Sequence, residues 1–235
     1  MKRCVPPLAL LYDVHGNLPA LRAVLADAWD AGADRFLLGG DYALFGPYPA
    51  ETVAALREIP RTTWIRGNVD RWTAHPDQAP DDEFVPAAIA ACREALGLEL
   101  VLELDGLPAQ FVSDGTRYCH ASPVSDLRSF FPEPGEDDNE LLDGAAERRI
   151  VFGHTHLQFR RVRPDGVELI NPGSVGLPLD GDTRAAYALL DDDGDAVELR
   201  RVGYEHEAVA DAMAEALGDE PWVRRSVQRL RTARP

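Results

Sequence analysis

Residues 8–41 read LALLYDVHGNLPALRAVLADAWDAGADRFLLGGD: an apolar run, an amphipathic stretch and a second apolar run. Leu8 to Tyr12 is short and unbroken in its apolarity, which predicts a buried strand. Leu18 to Ala31 sets Leu21, Val24, Leu25 and Ala28 on one helical stripe, with Pro19 at a first-turn position. Phe36 to Leu38 predicts the next strand. Working outward, Pro49 to Glu58 predicts a second helix, and the β-branched and aromatic run Thr62 to Ile65 a third strand. A β-α-β-α-β order implies parallel strands joined by right-handed crossovers.

Beyond this unit, residues 73–83 are polar and Pro-rich and predict a surface loop, followed by a helix from about Val85 to Leu96. Strands then come densely: Ala109 to Val112, Arg117 to Cys119, Ile150 to Phe152, Phe159 to Val162, Val167 to Ile170, Ala185 to Leu190 and Ala196 to Val202. Asp165-Gly166 and the run Asp191 to Asp195 read as hairpin turns, so this half is expected to be antiparallel. The aspartate run lacks the ligand spacing and closing Glu of a calcium loop. Glu133 to Glu140 reads as an acidic loop and Tyr204 to Leu217 as a peripheral helix. The fold class expected is therefore α/β, two sheets packed face to face with helices outside and mixed parallel and antiparallel strands. No internal repeat interrupts residues 1–235, which read as one domain with a peripheral helical segment from about residue 204.

Composition narrows the function. The 235 residues are 45% hydrophobic and 27% charged, an ordinary globular balance, with a net charge of −16 that repels duplex nucleic acid. Lys2 is the only lysine, a bias that reads as base composition, although arginine suits oxyanions. The three cysteines, Cys4, Cys92 and Cys119, are scattered and form no CxxC pair, which fits a reducing cytoplasm. The start, MKRCVPPLALLY, is briefly signal-like, but two prolines break it and no cleavage site follows. No run approaches the roughly 18 apolar residues of a membrane span. A cytoplasmic chain without a membrane partner is expected.

The chemistry sits where strands end. The first ends in Asp13-Val14-His15-Gly16-Asn17, the second in Gly39-Gly40-Asp41, and the third in Arg66-Gly67-Asn68-Val69-Asp70. Later ones end in Cys119-His120 and in Gly153-His154-Thr155-His156. Each alone is ordinary, since Asp and Asn favour capped turns. His-x-His says more, because alternate residues of an extended chain point to one side. All five lie at the carboxyl ends of strands, where an α/β sheet opens its ligand crevice. Carboxylates and imidazoles gathered there without a cation would repel or remain desolvated. Asp13, His15, Asp41, Asn68, His120, His154 and His156 exceed the needs of one ion and suffice for two. Oxygen and imidazole donors without thiolate suit Mn, Fe, Zn, Co or Ni, manganese being favoured. A pair roughly 3.5–4 Å apart would serve phosphoryl displacement.

The ordered motifs DVHGN, GGD, GNVD, CHAS and GHTH, with the continuations GDYALFGPYP and INPGSVGLPLDGDTRAAYALLD, resemble the calcineurin-like metallophosphoesterase superfamily over residues 13 to about 190. The likeness is strongest to its small bacterial and archaeal branch, with its phosphodiesterases and diadenosine tetraphosphatase-like members. The resemblance implies a two-sheet sandwich and a dinuclear phosphohydrolase acting on a small phosphorylated or nucleotide substrate, through a metal-bridging hydroxide. It implies one ion on Asp13, His15 and His156, another on Asn68, His120 and His154, and a bridging Asp41. Asp41, Asn68 and His120 would be catalytic. One departure stands out: Val69 holds the position where many members carry a His that protonates the leaving oxygen. His75 is the nearest substitute, though a loop His before Pro is more commonly just solvated.

Other positions are less determined. Arg66, Arg71, Arg128 and Arg184 are candidates to grip phosphate, Arg66 and Arg184 foremost, against a reading as surface charge. Asn17 and Asp70 either orient ligands from behind or cap turns. Tyr42, Phe45 and Tyr48 either stack on a base or pack the loop, and Cys119 is expected to face away from the ions. A binding scaffold that keeps the fold without catalysis, like the metallophosphoesterase-like subunit of the retromer coat, is the rival; the complete ligand set argues against it. The sequence sets no oligomeric state.

Overall fold

In the computed structural model, which describes residues 6–191 and 196–235, the opening run forms β1 (Leu8–Leu11) and the stretch after it α1 (Leu18–Asp30). Asn17 caps α1 by accepting from the Ala20 amide at 3.2 Å, and Pro19 lies in the first turn, where its missing N–H leaves nothing unpaired. The stripe Leu21, Val24, Leu25 and Ala28 is buried as expected. β2 (Arg35–Leu38), α2 (Pro49–Arg57) and β3 (Thr62–Trp64) follow, with β1, β2 and β3 parallel. The remaining elements are α3 (Asn68–Ala74), α4 (Val85–Asp105), β4 (Gln110–Ser113), β5 (Thr116–Cys119), α5 (Asp138–Leu141), β6 (Arg149–Val151), β7 (Phe159–Val162), β8 (Glu168–Asn171), β9 (Ala185–Leu190), β10 (Val197–Val202), α6 (His206–Leu217) and α7 (Pro221–Thr232).

Two five-stranded sheets result, ordered β10-β9-β1-β2-β3 and β4-β5-β6-β8-β7. Strand alternation feeds both faces of the first sheet. Leu10, Tyr12 and Leu37 point inward to meet Tyr118, Val151 and Ile170 of the second sheet. Ala9, Leu11, Phe36 and Leu38 point outward, into a cluster shared with α1, α2, α4, α6 and α7. The second sheet buries Ile150, Leu169 and Phe159 on its outer face, with Phe130 and Phe152. This is the expected α/β sandwich of mixed strands flanked by helices.

Several local expectations change. The second half is not simply antiparallel: β5, β6 and β8 run parallel, because the chain from 120 to 148 is long enough for a crossover rather than a hairpin. Antiparallel pairing is confined to β4 with β5, β7 with β8, and β9 with β10 and β1. The hairpin β9–β10 returns to the first sheet, and the Asp165-Gly166 turn joins β7 to β8. The region 73–83 is less of a loop than expected, since α3 runs to Ala74 and a 3-10 turn spans Pro76–Gln78. α5 begins inside the acidic stretch expected as a loop. The C-terminal segment contains two helices, and both insert into the main cluster through Val209, Met213, Trp222, Val223 and Leu230. Lys2, Cys4, the signal-like first residues and residues 192–195 of the aspartate turn lie outside the described residues. Among those described, no helix is long and apolar enough to cross a membrane.

α4 continues past the expected Leu96, but across a kink at Gly97, where φ is 73° and ψ 159°. That region of backbone is essentially restricted to glycine, and a Cβ there would meet no atom within 4 Å. Gly97→Ala therefore isolates backbone strain and should lower stability by about 1–3 kcal/mol, read as a lower denaturant midpoint at constant slope. An unchanged midpoint would show that the kink relaxes freely.

Candidate metal centre

The carboxyl ends of β1, β2, β3, β5 and β6 face one crevice, and each delivers a polar side chain to it. Asp13 and His15 follow β1, Asp41 follows β2, Asn68 opens α3 directly after β3, His120 follows β5, and His154 and His156 follow β6. His154 is half-buried; the other six are buried.

The backbone here is unusual. Asp13, His15, Asp41, His154 and His156 all have left-handed φ, between 47° and 67°, and account for five of nine such non-glycine residues among those described. Each costs of order 1 kcal/mol, so their concentration at one place marks function rather than packing. Glycine serves the neighbours instead. A Cβ on Gly67 would stand 2.0 Å from Asp41 Oδ1, and one on Gly153 would stand 2.4 Å from Asp13 Oδ2.

The side chains converge in two overlapping sets. His15 Nε2 is 3.1 Å from His156 Nε2, and Asp13 Oδ1 lies 3.9 Å and 3.5 Å from these two atoms. Asn68 Oδ1 lies 2.9 Å from both His120 Nε2 and His154 Nδ1. Asp41 Oδ2 stands between the sets, 3.3 Å from His120 Nε2 and 3.8 Å from His15 Nε2. Asp13 Oδ1 also reaches within 3.9 Å of His120 Nε2.

Each carboxylate commits one oxygen to the backbone. Asp13 Oδ2 accepts from the His154 amide at 3.0 Å, and Asp41 Oδ1 from the Val69 amide at 3.0 Å. The other Asp13 oxygen is buried without a hydrogen-bond partner. The imidazoles are oriented in the same manner. Nδ1 of His15, His120 and His156 faces the carbonyls of Leu44, Gly39 and Leu177, so the Nδ1–H donates outward and the Nε2 lone pair points in. Two imidazole lone pairs 3.1 Å apart beside a bare carboxylate oxygen repel unless a cation lies among them. The residues fit divalent ions: oxygen and imidazole donors, buried, pre-oriented, with an orphaned oxygen.

The electrostatics agree for His15 and His154, whereas His120 without an ion keeps a proton on the Nε2 that faces Asp41. Burial pushes His15 down to about 4, with repulsion from His156 adding to it. Burial and then His120 likewise push His154 to about 4. Both are thus neutral donors near pH 7. Burial opposes the proton on His120, but Asp41 and Asp13 outweigh it and lift the group to about 10. Burial would raise the two carboxyls, yet His156 holds Asp13, and His120 holds Asp41, below the usual range.

Behind this set, Asp70 accepts from the amides of Asp41 (2.9 Å), Tyr42 (3.1 Å) and Gly67 (2.9 Å), so it both caps α3 and fixes the Asp41 loop. Asp70→Ala leaves three buried N–H groups without an acceptor and should cost about 3 kcal/mol, measured by denaturant unfolding. A loss under 1 kcal/mol would mean that water replaces the carboxylate. Asn17 caps α1, and beyond Ala20 it bonds Gly176 O and Tyr204 Oη. Ser174 and Asn171 were not singled out in the sequence. Ser174 Oγ donates to the Asp13 carbonyl, and Asn171 Nδ2 holds Gly153 O and Thr155 Oγ1. Both lie in the INPGS stretch, whose polar residues next to glycine and proline were the only available signal.

The expected phosphate-gripping arginines are engaged elsewhere. Arg66 bonds Asp105, Arg71 is bidentate on Asp126, Arg128 pairs with Glu140, and exposed Arg184 pairs with Asp182. His75 is likewise held by Asp105 at 2.9 Å. Tyr42 is buried and bonded to Leu38 O and Ile65 O, hence loop packing, while Phe45 lies 6.0 Å from the His15 ring. Tyr48 is half-buried and N-caps α2. Cys119 faces the outer cluster, away from the ligand set.

Comparison with known proteins agrees with this geometry. Residues 7–195 match the calcineurin-like phosphoesterase superfamily domain. The chain is 27% identical over 220 residues to the uncharacterized protein MJ0912 of Methanocaldococcus jannaschii, covering 84% of this chain and 88% of that one. It superposes on a metallophosphoesterase from Sphaerobacter thermophilus with a TM-score of 0.81 at 27% identity, over 97% of this chain and 99% of that one. The hypothetical protein PH1004 from Pyrococcus horikoshii shares the fold at a TM-score of 0.81 and 21% identity, covering 93% and 96%.

Proposed function

The chain belongs to the calcineurin-like phosphoesterase superfamily, and from that premise we propose that it hydrolyses phosphoric esters with two divalent ions, manganese favoured. Asp13, His15 and His156 would hold one ion and Asn68, His120 and His154 the other, with Asp41 available to both; Asp41, Asn68 and His120 would be the catalytic ligands. The observation that carries this reading is the inward convergence of the His15 and His156 lone pairs on the partnerless Asp13 oxygen.

When bound, such ions acidify a water and polarise the phosphoryl oxygens. The chain's own contribution is orientation. Carbonyls of Leu44, Gly39 and Leu177 fix three imidazole tautomers, and Asp70 fixes the loop that presents Asp41. The whole chain acts as one domain in this reading, and its scattered cysteines fit a reducing cytoplasm.

Proton supply to the leaving oxygen is absent from the Asn68 motif. Val69 has no titratable group, its amide is used by Asp41, and His75 is bound to Asp105. Turnover should therefore fall steeply as the leaving group becomes more basic, because general-acid help is worth roughly 10²–10⁴-fold. Comparable rates over several units of leaving-group pKa, with chemistry rate-limiting, would contradict this.

The test of the function is a panel of phosphomonoesters, diesters and nucleotides, assayed after chelation and reloading with Mn, Fe, Zn, Co or Ni. Ion-dependent turnover of an aryl phosphodiester is expected. Tight ion binding with no hydrolysis of any phosphate ester would instead identify a scaffold.

A further inference from the structure

Beside the ligand set lies a cleft of about 460 Å³ that shares His154 with it. His154 is the half-buried member of the set, so the centre meets solvent on this side. The cleft walls are mainly apolar. Leu127 and Phe131 come from the loop after His120, and Leu157 and Leu179 from the loops after β6 and β8. These walls are anchored: Arg161 Nε donates to Phe131 O at 2.9 Å, and the Leu179 amide donates to His156 O at 3.4 Å. Phe131 is 56% exposed and Leu127 43%, so both present apolar surface to the cleft.

Charge decides what fits. The cation lining the cleft, Arg128, is already shared between Glu140 (2.7 Å) and Asp137 (3.5 Å). Arg66 and Arg71, near the other side of the Asn68 motif, are bound to Asp105 and Asp126. Apart from ions at the ligand set, the cleft therefore adds no uncommitted cation to grip a further chain of phosphates. An apolar wall with an accessible phenyl ring, in a volume typical of small-molecule pockets, suits a flat ring instead.

The geometry points to this cleft as the seat of an aromatic ester group, and so to an aromatic phosphodiester as the substrate class, in preference to a dinucleoside polyphosphate. This rests on the phosphoesterase reading above, with the phosphoryl group at the ligand set and the ring against Phe131 and Leu157.

The experiment is calorimetric binding to the ion-loaded protein, using diphenyl phosphate, dimethyl phosphate and diadenosine tetraphosphate, with Phe131→Ala and Leu157→Ala alongside. Both variants lie on the cleft surface, and circular dichroism melts verify their folding. Diphenyl phosphate should bind at least about tenfold more tightly than dimethyl phosphate. Each variant should remove most of that advantage while changing dimethyl phosphate binding less than about twofold. Equal binding of the two diesters, equal weakening of both by the variants, or tighter binding of diadenosine tetraphosphate would overturn the inference. The outcomes separate from those of the parent reading. Discrimination in binding without hydrolysis of any ester removes only the catalytic claim, whereas hydrolysis without discrimination removes only the cleft.

Discussion

Asp41→Asn should cut turnover of an aryl phosphodiester by about 10³-fold while the protein stays folded. Removing one group that stabilises charge in a transition state typically costs roughly 10²–10³ in kcat, and Asp41, like Asp13, is a carboxylate that reaches both ligand sets. Its Oδ2 lies 3.3 Å from His120 Nε2 and 3.8 Å from His15 Nε2. An amide keeps the acceptor for the Val69 amide but loses the negative charge, so the fold has little to lose and ion pairing much. The check is kcat at saturating ion together with ion content by elemental analysis and a thermal melt. Wild-type kcat with two ions bound would remove Asp41 from the centre. Loss of folding would show instead that its charge is chiefly structural.

Chelation should lower the melting temperature by about 10 °C. An ion present at a thousand times its dissociation constant adds about 4 kcal/mol to the folded state. For a chain of this size each kcal/mol is worth about 2–4 °C. Without ions, the facing Nε2 atoms of His15 and His156 and the orphaned Asp13 oxygen have no partner, and five left-handed residues hold their strain uncompensated. Restoring manganese should restore the melt, and Asp13→Asn should make it insensitive to chelator. A melt that ignores chelator in the parent protein would mean that the cluster holds no ion tightly.

Much of this was legible in the sequence because two signals coincide. Short apolar runs gave β1 and β2, and the polar residues that stop them, Asp13 and Asp41, lie in the crevice for the same reason that they stop the strand: the chain turns there. The His-x-His pair 154 and 156 stood out by its spacing, but not for the reason of an extended chain: both residues have left-handed φ, 67° and 59°, and they join different ligand sets. What was hidden depends on contacts distant in sequence. Nothing local to Arg66 announces that Asp105 holds its guanidinium, and nothing in Asn17 separates a helix cap from a residue behind the ligands. α3 was missed because Gly67-Asn68 reads as a turn, while Asp70 at its third position caps it. α7 is amphipathic but strongly basic, and its stripe Trp222, Val223, Val227 and Leu230 gains meaning only against the cluster it enters. Parallel pairing of β5, β6 and β8 leaves no mark in the strands themselves.

The position of β9 bears on how the chain emerges from the ribosome. β1 takes β2 as one neighbour early, but its other neighbour, β9, is encoded about 170 residues later. At roughly 5–20 residues per second, the nascent protein presents an unpaired leucine-rich edge for about ten seconds or longer. Such an edge is a template for association with other chains. Biosynthesis of this protein is thus most exposed to aggregation before Ala185 is translated, while the strand that leads into Asp13 still lacks β9.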